Sequence, residues 1–190
     1  HMLSLDYCDI HSMSNIKEFV VLVDDQDNVL GTMEKMDAHK QGCLHRAISV
    51  LLFDQDHRML LQKRASTKYH WPNIWSNAVC SHPREGETYS AAAHRRLPEE
   101  LGITADLEWQ FSFIYKATDD VSALHEHELD HVFFGQIEEA PSNVNPKEVG
   151  AVKWIERESL EKEVAYNPDQ YSFWFKIILQ EIEQRNLWPS

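Results

Sequence analysis

Three histidines and two glutamates are of the residue types that could together bind a metal ion: His39, His45, His82, Glu126 and Glu128. Glu126 and Glu128 lie two apart, so on a strand both side chains would project from the same face. Imidazoles combined with carboxylates suit a first-row divalent metal. The chain holds 11 histidines, however, and His125, His127 and His131 compete for the same role. Spacing alone leaves ordinary surface histidines as the alternative.

A cysteine and a histidine lie two residues apart, in Cys80-Ser81-His82, after an apolar stretch. A cysteine close to an imidazole can act as a nucleophile or as an acid-base group. The alternative is an inert cysteine that packs as a small apolar residue.

A basic cluster stands out in a chain whose formal net charge is −13. Lys63, Arg64 and Lys68 lie within six residues and precede an aromatic stretch at 69–71. Guanidinium forks and ammonium groups suit phosphate oxygens, which predicts a phosphate or diphosphate clamp. The alternative is a solvated loop, and Lys35 by itself is uninformative.

One predicted helix carries both glutamates and an arginine. Arg96 and Glu100 are i and i+4, so their side chains lie on one face. Glu99 and Glu100 could hold Mg²⁺ through carboxylate oxygens, although a charged face with salt bridges is the alternative. Pro98 removes a backbone donor and predicts a kink or an earlier helix end.

Large aromatic residues could serve either the core or a pocket: Trp71, Trp75, Tyr115 and Trp174. Most such residues pack in the core, but a pocket with tryptophan faces could stabilise a cation.

Length and composition set outer bounds. The 190 residues, 43% hydrophobic and 26% charged, suit one globular domain. The acidic balance disfavours nucleic acid and anionic membranes as partners, and the sequence has no apolar run long enough for a transmembrane helix. Three scattered cysteines, Cys8, Cys43 and Cys80, argue against a disulfide framework and for a reducing, cytoplasmic setting.

Apolar patterning predicts the elements that must position these residues. Strands and helices occur without regular β-α-β alternation, which favours an α+β fold with a mixed sheet. His1-Met2 reads as an expression-tag remnant, residues 1–17 as an extension without a secretory signal and 18–190 as a single catalytic domain. Strands are predicted at 18–23, 29–33, 47–53, 59–62, 75–80, 107–115, 129–137 and 151–155, helices at 89–101, 159–163 and 170–185, and loops at 34–43, 63–72 and 138–148.

The stretch 71–103, WPNIWSNAVCSHPREGETYSAAAHRRLPEELGI, resembles a Nudix box, a loop and helix that bind divalent metal and diphosphate. From Ser81, five residues lead to Glu87 and seven more lead to RRLPEELGI. Ser81 replaces the opening glycine, and Arg96 stands where a glutamate that supports the catalytic metal is expected. The second departure puts ordinary diphosphate hydrolysis in doubt.

Flanking segments are similar to the type 1 isopentenyl-diphosphate Δ-isomerases, from about Glu34 to Trp174. This resemblance implies a Nudix-like mixed β-sheet sandwiched by helices. The matching segments are LHRAIS from Leu44, LLQKRA from Leu60, WPNIWSNAVCSHP from Trp71, YKA from Tyr115 and EHE from Glu126.

The resemblance also implies roles for residues of this chain. The ligands of one tightly held Mn²⁺, Zn²⁺ or Mg²⁺ would be His39, His45, His82, Glu126 and Glu128. A second ion, Mg²⁺, would lie at Glu100 near the Cys80 carbonyl and bridge to the substrate diphosphate. The diphosphate contacts would be Lys35, Arg64, Lys68 and, as a weaker candidate, Arg96. Cys80 and Glu128 would be the acid-base pair, Tyr115 would assist Glu128, and Trp174 would cover the reacting carbons.

The implied reaction interconverts isopentenyl and dimethylallyl diphosphate through a tertiary carbocation and feeds isoprenoid biosynthesis. Residue types leave open which of Cys80 and Glu128 is the acid. The partner would be a small prenyl diphosphate, and the protein a monomer. The alternatives are a Nudix hydrolase and a metal-dependent binding module. A flavin-dependent isomerase is disfavoured, since nothing resembles a flavin-phosphate site in a (β/α)₈ chain.

Overall fold

The structure, a computed structural model, describes residues 17–190. The predicted extension at 1–17 therefore lies outside the described residues except for Lys17.

A mixed β-sheet organises the described part of the chain. Its centre is the long strand β3, which runs parallel to β8 from the His45–Glu128 pair to the Phe53–Gln136 pair. Beside them, β6 pairs antiparallel with β3, and β7 pairs antiparallel with β8. The nine strands of residues 17–190 are β1 Phe19–Val23, β2 Val29–Glu34, β3 His45–Phe53, β4 Met59–Arg64, β5 Trp75–Ser76, β6 Val79–Ser81, β7 Leu107–Thr118, β8 His125–Gln136 and β9 Val149–Ile155.

Two hairpin-like units complete the sheet. Strands β1 and β2 form an antiparallel hairpin, joined to β3 through the Leu22–His45 pair. Strand β4 lies between β5 and β9, antiparallel to both. The helices are α1 Lys35–Gln41, α2 Tyr89–Leu101, α3 Arg157–Tyr166 and α4 Phe173–Arg185, with a short 3-10 helix at Pro168–Gln170.

Helices cover both faces of the sheet, as the sequence predicts for an α+β fold. Leu51 and Phe53 of β3 pack in the cluster that contains Phe175 and Ile178 of α4. The alternate residues of β3, including Leu52, pack in a second cluster with α2. A strand buried on both faces is apolar at successive positions instead of every second one, which explains the run Val50 to Phe53, VLLF.

Helix α2 has the predicted bounds and is continuous through Pro98. The Thr88 hydroxyl accepts a hydrogen bond from the Ala91 amide at the N-terminus, and Gly102 ends the helix with φ of 67°. Pro98 is exposed, so the His94 carbonyl that loses its partner can face solvent. A side chain at Gly102 would overlap the backbone oxygen of Asn143.

Four local predictions are wrong. The strand predicted at 129–137 begins at His125, because its pairing with β7 continues to the Thr118–His125 pair. Residues 34–43 are mostly the helix α1 and not a loop, because the Glu34 carboxylate caps the Met36 and Asp37 amides and Gly42 ends the helix with φ of 68°. The strand predicted at 75–80 is two short strands that pair with different partners, β4 and β3. Lys63 and Arg64, predicted as loop, end strand β4.

Among residues 17–190, no helix has the length and apolar character needed to cross a membrane.

Candidate active site and metal centre

One cavity of about 410 Å³ gathers the predicted site residues. They come from strands, helices and loops between positions 35 and 174. The predicted residues that line it are Lys35, His39, Arg64, Lys68, Cys80, His82, Arg96, Glu100, Tyr115, Glu126, Glu128 and Trp174. The remaining one, His45, is fully buried and belongs to the histidine and glutamate cluster beside the cavity.

The five predicted metal ligands lie together, although they come from four parts of the fold. Helix α1 carries His39, the start of β3 carries His45, and His82 directly follows β6. Strand β8 carries Glu126 and Glu128 on one face, as their spacing predicts. One nitrogen or oxygen from each of the five lies within 4.8 Å of the others. Ligands that share one first-row ion at about 2.1 Å would be at most about 4.2 Å apart, so only a small contraction is needed.

The donor atoms of this cluster fit a divalent cation. Both ring nitrogens of His39, Nε2 of His45 and Oε2 of Glu126 are buried without a hydrogen-bond partner. Nδ1 of His45 lies 2.8 Å from the Cys43 carbonyl oxygen, so this nitrogen carries the proton. Nε2 then keeps its lone pair available for a metal ion. Burial, with His82 and His45 nearby, lowers the pKa of His39 to about 3, which keeps the ring in its neutral, metal-binding form.

The two carboxylate oxygens of Glu128 contact different neighbours. Oε1 of Glu128 lies 3.1 Å from His82 Nε2 and 3.5 Å from His45 Nε2. The Tyr115 hydroxyl donates to Oε2 of Glu128 over 2.9 Å. Burial and the charge of Glu128 hold the pKa of Tyr115 well above its usual value, so Tyr115 stays a proton donor to this carboxylate.

The two glutamates have opposite pKa shifts. Burial and the charge of Glu128 raise the pKa of Glu126 well above its usual value. Burial also acts to raise the pKa of Glu128, but the close contacts with Glu126, His45 and His82 hold it well below the usual value. The negative charge of the pair is therefore concentrated on Glu128.

The Cys80 thiol lies across the cavity in an apolar, hydrogen-bonded setting. The indole N–H of Trp174 donates to Sγ over 3.0 Å, and the thiol donates to Oδ1 of Asn77 over 3.1 Å. Burial, followed by the charges of Asp130 and Glu100, raises the pKa of Cys80 to about 12. At neutral pH this residue is a protonated thiol held in one orientation.

Aromatic and basic side chains pack around Trp174 at the wall of the cavity. Trp71 packs edge-on against Trp174 at 5.5 Å between ring centroids, and the Arg64 guanidinium lies 5.4 Å from the Trp174 ring. Arg64 also donates to the backbone oxygens of Trp71 and His70, over 3.0 and 2.8 Å. Arg64 thus faces the cavity and also holds the loop that carries Trp71.

The basic residues of the cavity are paired with carboxylates. Lys35 lies 2.9 Å from Glu18, and Lys68 lies 2.6 Å from Glu148. Arg96 contacts three carboxylates, at 2.7 Å from Glu99, 3.5 Å from Glu100 and 3.6 Å from Glu148. Three of the predicted diphosphate contacts, Lys35, Lys68 and Arg96, therefore form a charged end of the cavity with their charges already neutralised, whereas Arg64 donates to backbone oxygens.

Of the adjacent glutamates on α2, only Glu100 reaches the cavity. Glu99 is 40% exposed and pairs with arginines on the helix surface, whereas Glu100 is buried with Oε2 unpartnered. Burial raises the pKa of Glu100 to about 7, although Arg96 opposes the shift. The buried Glu100 carboxylate therefore favours a proton or a cation beside it near neutral pH.

Sequence reasoning missed several residues of the site. Glu18 and Glu148 belong to no motif, and Asn77 belongs to a matching segment that gives it no role; the partners of these residues are between 3 and 80 positions away in the chain. His70 was treated only as a neighbour of the basic cluster, yet it is buried against Glu126. A single signal was available: His70 directly precedes a tryptophan in a stretch rich in aromatic residues.

Comparisons with known proteins agree with this geometry. A family model described as NUDIX domain matches residues 44–175. The isopentenyl-diphosphate Delta-isomerase 2 of Aromatoleum aromaticum is 46% identical over 88% of this chain and 87% of its own length. The isopentenyl-diphosphate Delta-isomerase 2 of Photorhabdus laumondii is 44% identical over 90% of this chain and 95% of its own.

Solved structures share the fold at lower identity. A Deinococcus radiodurans protein superposes with a TM-score of 0.65 at 21% identity, over 79% of this chain and 90% of its own. A MutT protein from Methanosarcina mazei superposes with a TM-score of 0.61 at 17% identity, over 76% of this chain and 96% of its own.

Proposed function

This chain belongs to the NUDIX domain family and, within it, to the isopentenyl-diphosphate Delta-isomerases, and we propose that it interconverts isopentenyl and dimethylallyl diphosphate for isoprenoid biosynthesis. The observation that carries the proposal is the pair of proton-transfer groups, Cys80 and Glu128, that line one cavity with a basic end. A hydrolase would need no such pair. Arg96, where a hydrolase would place a metal-supporting glutamate, contributes positive charge instead.

Cys80 and Glu128 are the proposed acid and base. One of them delivers a proton to the terminal methylene carbon of isopentenyl diphosphate, which leaves a positive charge on the adjacent tertiary carbon. The other removes a proton from the methylene on the far side of that carbon, and the double bond moves by one position. The two roles exchange when the reaction runs backward. Tyr115 acts through its hydrogen bond to Glu128, and the pair is of the kind that accelerates reactions by about 10²–10⁴-fold.

Aromatic faces stabilise the cation in this proposal. Trp174 is buried and its N–H is held by the Cys80 sulfur, so its orientation relative to the acid-base group is set. A cation over a tryptophan face in a desolvated site gains about 2 kcal/mol or more. Exclusion of water by Trp71 and Trp174 prevents capture of the cation as an alcohol.

The basic end of the cavity binds the diphosphate. Lys35, Arg64, Lys68 and Arg96 supply the positive charge, and the carboxylate partners of Lys35, Lys68 and Arg96 would be exchanged for diphosphate oxygens on binding. We place the second ion, Mg²⁺, at Glu100, because this buried carboxylate has an unpartnered oxygen and a pKa of about 7.

The histidine and glutamate cluster would hold one divalent ion through His39, His45, His82, Glu126 and Glu128. When bound, this ion supplies positive charge that stabilises the carboxylate form of its glutamate ligands. The imidazole and carboxylate donor set suits Mn²⁺, Zn²⁺ or Mg²⁺. Glu128 belongs both to this cluster and to the acid-base pair, so its position depends on the two histidines beside it.

We further propose that residues 18–190 work as a single catalytic domain and that the protein is a cytoplasmic monomer. The site residues between Lys35 and Trp174 all contribute to one cavity, which supports a single functional unit. The odd number of scattered cysteines supports a reducing compartment.

The test is proton NMR of the purified protein with isopentenyl diphosphate and Mg²⁺ in D₂O. Deuterium should appear in dimethylallyl diphosphate, and Cys80→Ala should abolish its appearance. Release of phosphate or of a monophosphate would make the protein a hydrolase. An unchanged substrate, with metal bound and the protein folded, would make it a binding module.

A further inference from the structure

His70 is a buried histidine beside the metal cluster that no motif assigns. It lies in the loop after β4, with 3% of its surface exposed. The Trp71 ring lies 3.7 Å away between centroids and the Tyr69 ring 6.0 Å away. His70 is not one of the five residues whose donor atoms converge, although its ring centroid is 5.5 Å from that of His39.

The contact that His70 makes is to a single oxygen of Glu126. Nδ1 of His70 lies 2.9 Å from Oε1 of Glu126, within hydrogen-bonding distance. The other oxygen, Oε2, is buried without a partner and lies 3.6 Å from Nε2 of His39. One oxygen of Glu126 thus faces His70, and the other faces the cluster.

The two oxygens of Glu128 are divided between neighbours in the same way. Tyr115 donates to Oε2 of Glu128, and Oε1 faces His45 and His82. At both glutamates, an aromatic side chain outside the cluster lies 2.9 Å from one oxygen, and the other oxygen faces the cluster. His70 is therefore placed at one oxygen of Glu126 in the same way as Tyr115 is placed at one oxygen of Glu128.

We propose that His70 is a positioning residue of the metal site: its Nδ1–H donates to Oε1 of Glu126 and so presents Oε2 to the metal. The inference rests on the proposed metal cluster and adds a residue that acts on it from outside. Free carboxylates rotate and can bind through either oxygen or both, and a fixed hydrogen bond removes that freedom. The ring itself touches no substrate.

The loop that carries His70 is held firmly enough for this role. Arg64 donates to the backbone oxygens of His70 and Trp71, and the Trp71 ring, 3.7 Å from the imidazole between centroids, restricts its rotation. Arg64 is also one of the proposed diphosphate contacts. The same guanidinium therefore links the diphosphate end of the cavity to the orientation of a metal ligand.

The test measures metal binding, not turnover. His70→Phe keeps a ring of similar size against Trp71 and removes the donor. His70→Asn keeps an N–H at the δ position and removes the ring. Full-length protein is stripped with chelator and titrated with Mn²⁺, which is followed by the loss of the free-ion EPR signal, and with Co²⁺, which is followed by its visible absorption.

We expect His70→Phe to weaken Mn²⁺ binding about 10–100-fold, as losses of such outer contacts do, and His70→Asn to restore binding to within about threefold of wild type. The matched control is His131→Phe, because His131 also stacks on an aromatic ring, Tyr89 at 3.5 Å, but lies outside the cluster. Its affinity should equal that of wild type. Thermal unfolding in chelator should be similar for all four proteins.

Three outcomes would overturn the assignment. Wild-type affinity in His70→Phe would remove His70 from the metal site. Weak binding in both variants, with a change in the intensity of the Co²⁺ absorption, would make His70 a ligand instead of a positioning residue. A wild-type protein that binds metal tightly but does not isomerise would end the proposed function and leave this inference standing. A wild-type protein that binds no metal would end the inference.

Discussion

The two ends of the cavity differ in how their side chains are held. At the dry end, Cys80, Tyr115, Glu128 and Trp174 are held by hydrogen bonds to one another or to neighbouring residues. At the charged end, by contrast, Lys35, Lys68 and Arg96 each lie against at least one carboxylate. The dry end is prepared for proton transfer before substrate arrives. The charged end must exchange its ion pairs for the substrate.

This difference separates the expected kinetic effects. Groups that are already oriented for proton transfer contribute chiefly to the transition state, so their removal should lower kcat. Groups that bind the diphosphate equally in the ground and transition states should act mainly on KM. Each of the following predictions would break or sharpen that division.

The largest effect should come from the dry end. Cys80→Ala and Glu128→Gln should each lower kcat by about 10²–10⁴-fold, the range for general acid-base groups, with KM within a fewfold of wild type. Steady-state kinetics with isopentenyl diphosphate measures both. Cys43→Ala is the matched control, since Cys43 contributes its backbone oxygen but not its thiol to His45. Near wild-type turnover in either active-site variant would contradict the assignment of kcat effects to the dry end and KM effects to the charged end.

The next effect concerns the folded protein without metal. Burial raises the pKa of Glu100 from 4.5 to about 7, so the native state holds its proton more tightly than the unfolded chain. Stability is then present below about pH 4.5 and is lost as pH rises to about 7. At 1.36 kcal/mol per unit, the loss is about 3 kcal/mol. Glu100→Gln should remove it and be more stable than wild type at pH 8 in chelator.

Urea unfolding at pH 5 and pH 8 measures this difference. Glu99→Gln is the control, because Glu99 is the adjacent residue on the same helix but is 40% exposed. It should show no comparable change with pH. An equal pH dependence in wild type and Glu100→Gln would mean that Glu100 is not a strained carboxylate.

A smaller effect should follow removal of one diphosphate contact. Lys68→Met should raise KM roughly tenfold, since hydrogen bonds to charged groups contribute about 1.5–3 kcal/mol and Arg64 and Arg96 remain. kcat should stay within about threefold. Lys162→Met serves as a control, because Lys162 is paired with Glu158 on the surface away from the cavity. A loss confined to kcat would place Lys68 in the chemical step.

The smallest effect should come from the carboxylate that competes with the substrate. Glu148 contacts both Lys68 and Arg96, so Glu148→Gln should release both bases and lower KM by a fewfold. The double variant with Lys68→Met measures the coupling, which should account for most of the change. A higher KM in Glu148→Gln would make this carboxylate part of the anion site through a bound cation.

Much of the fold was predictable because its signals are local. The bounds of α2 follow from Thr88, the apolar spacing and Gly102. Strand β3 follows from a run of apolar residues. Helix α1 escaped prediction because it is seven residues long and has only two apolar residues, Met36 and Ala38, so periodicity cannot reveal it. Its caps, Glu34 and Gly42, act only in the folded backbone.

The sequence alone determined the family and the set of metal and acid-base candidates, because the spacing of Cys80, His82 and the box that follows is a property of the chain. It also determined that Glu126 and Glu128 face the same way, because strands alternate. Which oxygen of each glutamate faces the cluster was decided only by the tertiary structure. The neighbours that decide it, His70 and Tyr115, lie 56 and 13 positions away, and contacts at such separations depend on how β4, β7 and β8 pack. The pairing of Lys68 with Glu148 across 80 positions has the same cause.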